Sequence, residues 1–264
     1  MEGETHVGQA IERVERETEH MRGRLRAVGR FADRVADVPP AGDGSGRPAT
    51  DGGVVLSPGL AGTSTPEGGC ATVRDHFAET VAPYSTDDLE GPESLVETIG
   101  EEFSEGVALA LSPATGAEFS RATKRAVIAA AETRQREIEA MLSALDRERE
   151  SLEEAAETID EITAWLTDEN ERPLLELGFE ELTHRHRRID RFLSSCDALA
   201  RDRQGTLRTT TGEHGSAAIE HEQLLAFLYE EFPTEFPVLT TVARLGSLLE
   251  QSQRALRDHL VRRV

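Results

Sequence analysis

The densest group of chemically versatile side chains is "THRHRR", residues 183–188, where His184 and His186 alternate with Arg185, Arg187 and Arg188. Such a group could bind a metal ion, a nucleic acid or a carboxylate. Helix geometry argues against the metal. At ~100° per residue the two imidazoles point ~200° apart, whereas chelation on a helix wants residues at i and i+4. Positions 188 and 190 are Arg and Asp, and no converging ligand set is read there.

Patterns for catalysis are equally thin. The chain has no Gly-rich phosphate loop ahead of a helix, no Gly-x-Ser-x-Gly and no His-Glu-x-x-His. "HEQ" at His221–Gln223 offers a His beside a Glu but lacks the second His. Cys70 and Cys196 lie far apart with no Cys-x-x-Cys spacing, so they suggest neither a zinc site nor a disulfide framework. Carboxylate pairs are so abundant that they read as a solvated face. The expectation is therefore a non-enzyme with no catalytic residue, no cofactor and no metal ligand.

The arginines make better sense as part of a helix. Leu175, Leu182, Ile189 and Cys196 repeat every seven residues, as do Gly178, Arg185, Phe192 and Leu199, so Arg185 falls on the apolar seam. Residues 183–191 carry +3, while residues 148–161 carry −6. A break at 169–173 would fold the two stretches antiparallel, and opposite charge across such a hairpin selects register. Arg187, Arg188 and Arg191 are thus expected to pair within the chain with Glu150, Glu153, Glu154 and Glu157. The rival reading is an external acidic ligand or nucleic acid.

The elements that would carry these groups are all helical. Residues 1–36 hold a heptad helix whose seam runs Val7, Ile11, Val14, Thr18, Met21, Leu25, Val28, Ala32 and Val35. Isolated helices gain most of their stability from packing, so this one must dock, on its own chain or on another. Val7, Ile11, Val14, Met21, Leu25 and Val28 form the candidate interaction seam. Residues 37–70 are rich in Gly, Pro, Ser and Thr and read as a flexible linker. Residues 71–264 read as a helical bundle domain with helices near 71–82, 92–111, 117–168, 173–204, 216–231 and 237–262. In the long helix 117–168, roughly 75 Å at ~1.5 Å per residue, Ala131, Ile138, Leu145, Leu152, Ile159 and Leu166 form one apolar column. A weaker column, Ile128, Gln135, Leu142, Arg149, Ala156 and Thr163, stands beside it, with polar members suited to fixing register. The predicted fold is all-α: an elongated antiparallel helical bundle or coiled coil with short capping helices. Phe227, Tyr229, Phe232 and Phe236 read as a bundle-end cap or as a docking patch for a partner helix.

Composition sets the habitat. Of 264 residues, 50 are acidic and 29 basic, giving −21, and lysine occurs once, at Lys124. Acid excess with almost no lysine suggests a cytoplasm at very high salt, where the Debye length falls to roughly 3 Å at 1 M. The competing explanation is a basic partner. The overall charge disfavours nucleic acid, which wants clustered cations. No window approaches the ~18 apolar residues of a membrane span, and the charged N-terminus does not read as a signal peptide.

Three stretches, "VRDHFAETVAPY" (73–84), "ATKRAVIAAAETRQREIEAMLSALDRERESL" (122–152) and "LYEEFPTEFPVLTTVARL" (228–245), carry a resemblance. They are similar to a haloarchaeal family of uncharacterised proteins, over roughly residues 71–262. The resemblance implies a helical fold and a salt-adapted cytoplasm, and no activity. The functional expectation is a coiled-coil interaction or scaffold protein that meets a protein partner or a second copy of itself. The alternative is a DNA-binding regulator using the C-terminal helix, residues 240–263.

Overall fold

The computed structural model describes residues 6–41, 68–85, 92–170, 172–207, 210–211 and 219–262. Its helices are α1 (His6–Asp37), α2 (Gly68–Thr80), α3 (Pro92–Glu102), α4 (Glu105–Leu111), α5 (Arg121–Asn170), α6 (Phe179–Leu207), α7 (His221–Leu228) and α8 (Pro237–Val261). The fold is all-α. Among the described residues the only strands are two-residue pieces, Thr210–Thr211 paired antiparallel with Ile219–Glu220, which the helical patterning did not anticipate. Most of the expected linker, residues 42–67, lies outside the described residues. So do positions 208–209 and 212–215 of the stretch expected to join the helices ending near 204 and starting near 216, and positions 216–218 of the latter helix; within that stretch Gly205 belongs to α6.

The contacts divide the chain into two compact units, one of Met1–Glu19 with Ala140–Val264 and one of His20–Glu139. In the second unit Phe31, Phe77 and Phe103 form an aromatic core. Phe31 stacks on Phe103 at 5.3 Å, and Phe77 meets both edge-on at 5.8 and 5.6 Å. Phe103 reaches this core because the helix expected over 92–111 is interrupted. Ser104 caps α4, its hydroxyl accepting from the Val107 amide at 3.3 Å. A serine that satisfies an amide of the following turn favours a new helix start over continuation. The turn at Pro113–Thr115 ends on Gly116, whose φ of 57° suits glycine.

In the first unit α6 and α8 pack along their lengths. Leu182, Ile189, Phe192 and Cys196 of α6 and Val238, Val242, Leu245, Leu249 and Leu256 of α8 are buried. Pro173 does not open α6. A 3₁₀ turn, Leu174–Glu176, intervenes, and the helix starts at Phe179.

The apolar strips are broader than a single seam. On α1, Val7, Val14, Met21, Val28 and Val35 are buried, while Ile11 and Leu25 are half-exposed. The other buried column is Ala10, Glu17, Phe31 and Val38, with Arg24 on the same heptad position. On α5 the column beside Ala131, Ile138, Leu145, Leu152 and Ile159 contains Val127, Glu148, Ala155 and Ile162. Arg149, placed in the companion column by pattern, instead points outward to Glu153 at 2.6 Å, and Thr163 is exposed.

Two helical glycines separate a tight contact from a yielding one. A Cβ at Gly69 would stand 2.6 Å from the Cβ of the buried Phe119, while one at Gly23 would stand 2.6 Å from the ring edge of half-exposed Tyr84. Alanine improves helix propensity by about 1 kcal/mol at an interior position such as Gly23, and by less at Gly69 in the first turn of α2. Gly69→Ala is expected to be net destabilising, by ~1–3 kcal/mol, because Phe119 has no room to move, whereas Gly23→Ala comes out near neutral. Urea melts of the two variants check this, and equal stabilities would contradict the packing at Phe119.

Candidate functional site

The chemically richest places are buried carboxylates held by cations from other helices. Glu148 of α5 is completely buried and faces Arg203 of α6, itself 4 % exposed. Arg203 donates from Nη1 to Oε2 at 2.9 Å, from Nη2 to Oε1 at 2.5 Å, and from Nη1 to Ser151 Oγ at 2.9 Å. Tyr229, just past α7, donates its hydroxyl to Glu148 Oε1 at 2.7 Å. Burial, then the neighbouring Glu148 charge and its hydrogen bond, push the Tyr229 phenol far above its ordinary range despite Arg203. The phenol therefore stays protonated as a fixed donor. This constellation ties three helical segments to one carboxylate, and two of its members, Ser151 and Arg203, also line a groove between α5 and α6.

The second unit contains a comparable carboxylate. Glu102 at the end of α3 accepts from Arg24 of α1 at 2.5 Å and from Arg134 of α5 at 3.1 Å. Burial alone would raise its pKa. The hydrogen bond and charge of Arg24, the charge of Arg134 and a hydrogen bond from Ser85 together outweigh burial and hold it below the usual range.

The "THRHRR" segment turns out to be a helix with differently employed faces. Arg185 is buried, 5 % exposed, and pairs through Nε with Glu169. Arg188 meets Glu161 at 3.6 Å and lies over the rings of Phe192 (5.3 Å) and Trp165 (6.0 Å). His186 sits 3.3 Å from Asp190 and accepts from Arg257 of α8 at 3.2 Å. His184, Arg187 and Arg191 are exposed.

Glu148 opposite Arg203 and Glu161 opposite Arg188 make α5 and α6 antiparallel, as the charge pattern suggests, but in a shifted register. Glu150 and Glu154 consequently line a groove whose other wall is Ser195, Ala198 and Asp202. The shift has a simple cause. The connection runs to Gly178 rather than ending at Pro173, so every cross-helix partner moves along.

Tyr229 is a core residue rather than part of a docking patch, because its hydroxyl is the donor that Glu148 needs. Phe232 packs on it at 5.2 Å. Phe227 and Phe236 remain exposed, with Arg13 of α1 over the Phe227 ring at 6.0 Å. Both thiols are buried, and burial raises the pKa of each. The Cys70 Sγ donates to the carbonyl of Ala117 at 3.4 Å. The side chains of His221–Gln223 lie outside the described residues. Among the described residues no group of three or more His, Cys, Asp and Glu could hold a metal ion, and no helix is long and apolar enough to cross a membrane.

A family model described as "Domain of unknown function (DUF7260)" matches residues 5–253, so the chain belongs to that family. No curated protein and no solved structure matches it.

Two outcomes are expected from the buried carboxylates. Arg203→Met leaves Glu148 charged and only partly satisfied and should cost ~3–5 kcal/mol in urea unfolding, while Tyr229→Phe should cost ~1–3 kcal/mol. Replacing Glu148 and Arg203 together by leucine should cost less than the two single changes summed. Glu102 has a folded pKa below its unfolded one. Its contribution to stability is therefore complete above the unfolded value of ~4.3 and is lost as pH falls through the folded value. Glu102→Gln should flatten the stability–pH curve on that acid side; an unchanged curve would mean that Arg24 and Arg134 do not lower its pKa.

Proposed function

We propose that this DUF7260 protein is a non-enzymatic helical interaction protein of a salt-adapted, haloarchaeal-type cytoplasm. Its partner docks at the apolar corner where α5 turns into α6. The observation that carries this reading is the exposure of Leu175 (76 %) and Phe179 (54 %) on either side of that turn's end. Single exposed apolar residues are ordinary. Two large ones within five positions, in a chain that is only 38 % apolar, are the kind of patch that meets another protein. The seam Val7, Val14, Met21 and Val28 is occupied within the chain, so pairing through α1 would require that helix to be released. A short amphipathic helix, from a partner or a second copy, suits the corner.

The charge of −21 with a single lysine supports the salt-adapted setting. In concentrated salt, surface repulsion is screened and apolar contact takes over. The DNA-binding alternative draws less support. α8 uses its apolar face on α6, and its exposed arginines are interleaved with acids, Arg254 lying 3.8 Å from Glu250. A duplex binder needs an unbroken cationic face.

Leu175→Glu with Phe179→Glu should leave melting within about 0.5 kcal/mol of the parent. The expected outcome is loss of self-association, read by light scattering in concentrated KCl, or of partner capture from a KCl-rich extract. Association should strengthen as KCl rises. Unaltered mass and unaltered capture in the double variant would remove the corner as the docking surface. Binding to random duplex DNA that weakens steeply with salt would favour the alternative.

A further inference from the structure

A second feature of the first unit stands independently of the docking reading. Between the end of α5, the start of α6 and the last turns of α8 lies a cleft of ≈ 280 Å³. Its walls are mostly apolar, with Trp165, Leu166, Pro173, Ile189 and Leu256. Its polar members are Arg185, Glu169 and Arg172. Arg172 is exposed and bonds Glu181 at 2.8 Å. Arg185 is different, because its side chain is 5 % exposed. Its Nε is paired with Glu169, and its Nη1 reaches the Glu169 carbonyl at 3.4 Å. Among the described residues its buried Nη2 has no hydrogen-bond acceptor.

A buried guanidinium nitrogen left without an acceptor is costly, and native interiors rarely leave one so. An arginine kept only for structure would have its fork filled, as Arg203 does with Glu148 and Ser151. In this cleft one donor of the fork is left over beside apolar walls and the chain's only tryptophan. Few polar groups set among apolar walls are the usual make-up of a small-ligand site, although the volume falls just under the ~300–1,000 Å³ common for them. That size admits a ring or a short hydrocarbon chain. Arg172 is taken up by Glu181 and the Nε of Arg185 by Glu169, which leaves Nη2 as the donor open to an incoming oxygen. A carboxylate forms the stronger, charge-assisted bond.

We propose that the cleft binds a small apolar carboxylic acid, its carboxylate accepting from Arg185 Nη2 and its hydrocarbon part seated against Trp165 and Leu256.

Trp165 reports directly on occupancy. Sodium octanoate, added well below micelle-forming concentrations to the full chain in concentrated KCl, should change Trp165 emission saturably. Octan-1-ol should bind at least ~10-fold more weakly, the worth of one charge-assisted hydrogen bond. Arg185→Gln should abolish the preference for acid over alcohol. Should that variant fail to fold, Ala255→Leu, at another residue lining the cleft, narrows it without replacing either member of the Arg185–Glu169 pair, and it should abolish both responses while the circular dichroism spectrum stays the same. A non-saturating response, equal binding of acid and alcohol by the unaltered chain, or full octanoate binding by Ala255→Leu would each overturn the proposal.

Discussion

A charge removed from water must be met by its opposite, or the fold does not form. Glu148 is the clearest case. A fully buried carboxylate is strongly disfavoured unless its lone pairs are filled, and here Arg203 and Tyr229 supply the donors from two other segments. The same requirement sets the position of α6 against α5, since only one register brings Arg203 to Glu148. Replacing such a pair by apolar groups can be neutral or stabilising, so its value here lies in specificity. Leucine and alanine columns tolerate sliding by a heptad, whereas a bidentate ion pair does not. In the other unit Glu102 does comparable work with Arg24 and Arg134, joining three helices at one point.

Those residues also explain how far the sequence could be read. The helices, the Gly-rich interruption after α1 and one apolar column on each long helix follow from periodicity alone. The seven-residue repeats Val7, Val14, Met21, Val28 and Val35 on α1 and Ala131, Ile138, Leu145, Leu152 and Ile159 on α5 hold only apolar residues and are buried as their pattern implies, while Ile11 and Leu25 of the same α1 seam are half-exposed. The neighbouring columns were hidden because each includes charged members, Glu17 and Arg24 on α1, Arg134 and Glu148 on α5. Read by pattern, a charge marks the solvent side. Arg24, Arg134 and Glu148 lie inward because partners distant in sequence neutralise them, and no local signal announces such partners; Glu17 instead meets Arg13 one turn away, at 3.9 Å. The α5–α6 register failed for a related reason. Charge complementarity predicted the antiparallel arrangement, but the length of the turn fixes the pairing, and the short 3₁₀ segment after Pro173 lacks the periodicity that would have revealed it.

The arginine-rich stretch on α6 shows one sequence feature divided among several tasks by the 3.6-residue period. One guanidinium enters the interior beside Glu169, one lies across Trp165 and Phe192, and others face water. Arginine suits all of these because its planar, weakly hydrated group stacks and forks where an ammonium would stay solvated. A chain that almost never uses lysine thereby gains cations able to work in dry surroundings.

The single exception lies in the first turn of α5 and reaches the end of α1. Lys124 donates from Nζ to the carbonyl of Val38 at 2.9 Å and to that of Ala36 at 2.5 Å, and so closes off oxygens that the helix leaves open at its C-terminal end. Because no other residue here has a primary amine in its side chain, acylating reagents and amine-seeking cross-linkers have one side-chain target. That target is already engaged in holding a helix end, so tagging it would loosen the very spot the label was meant to report.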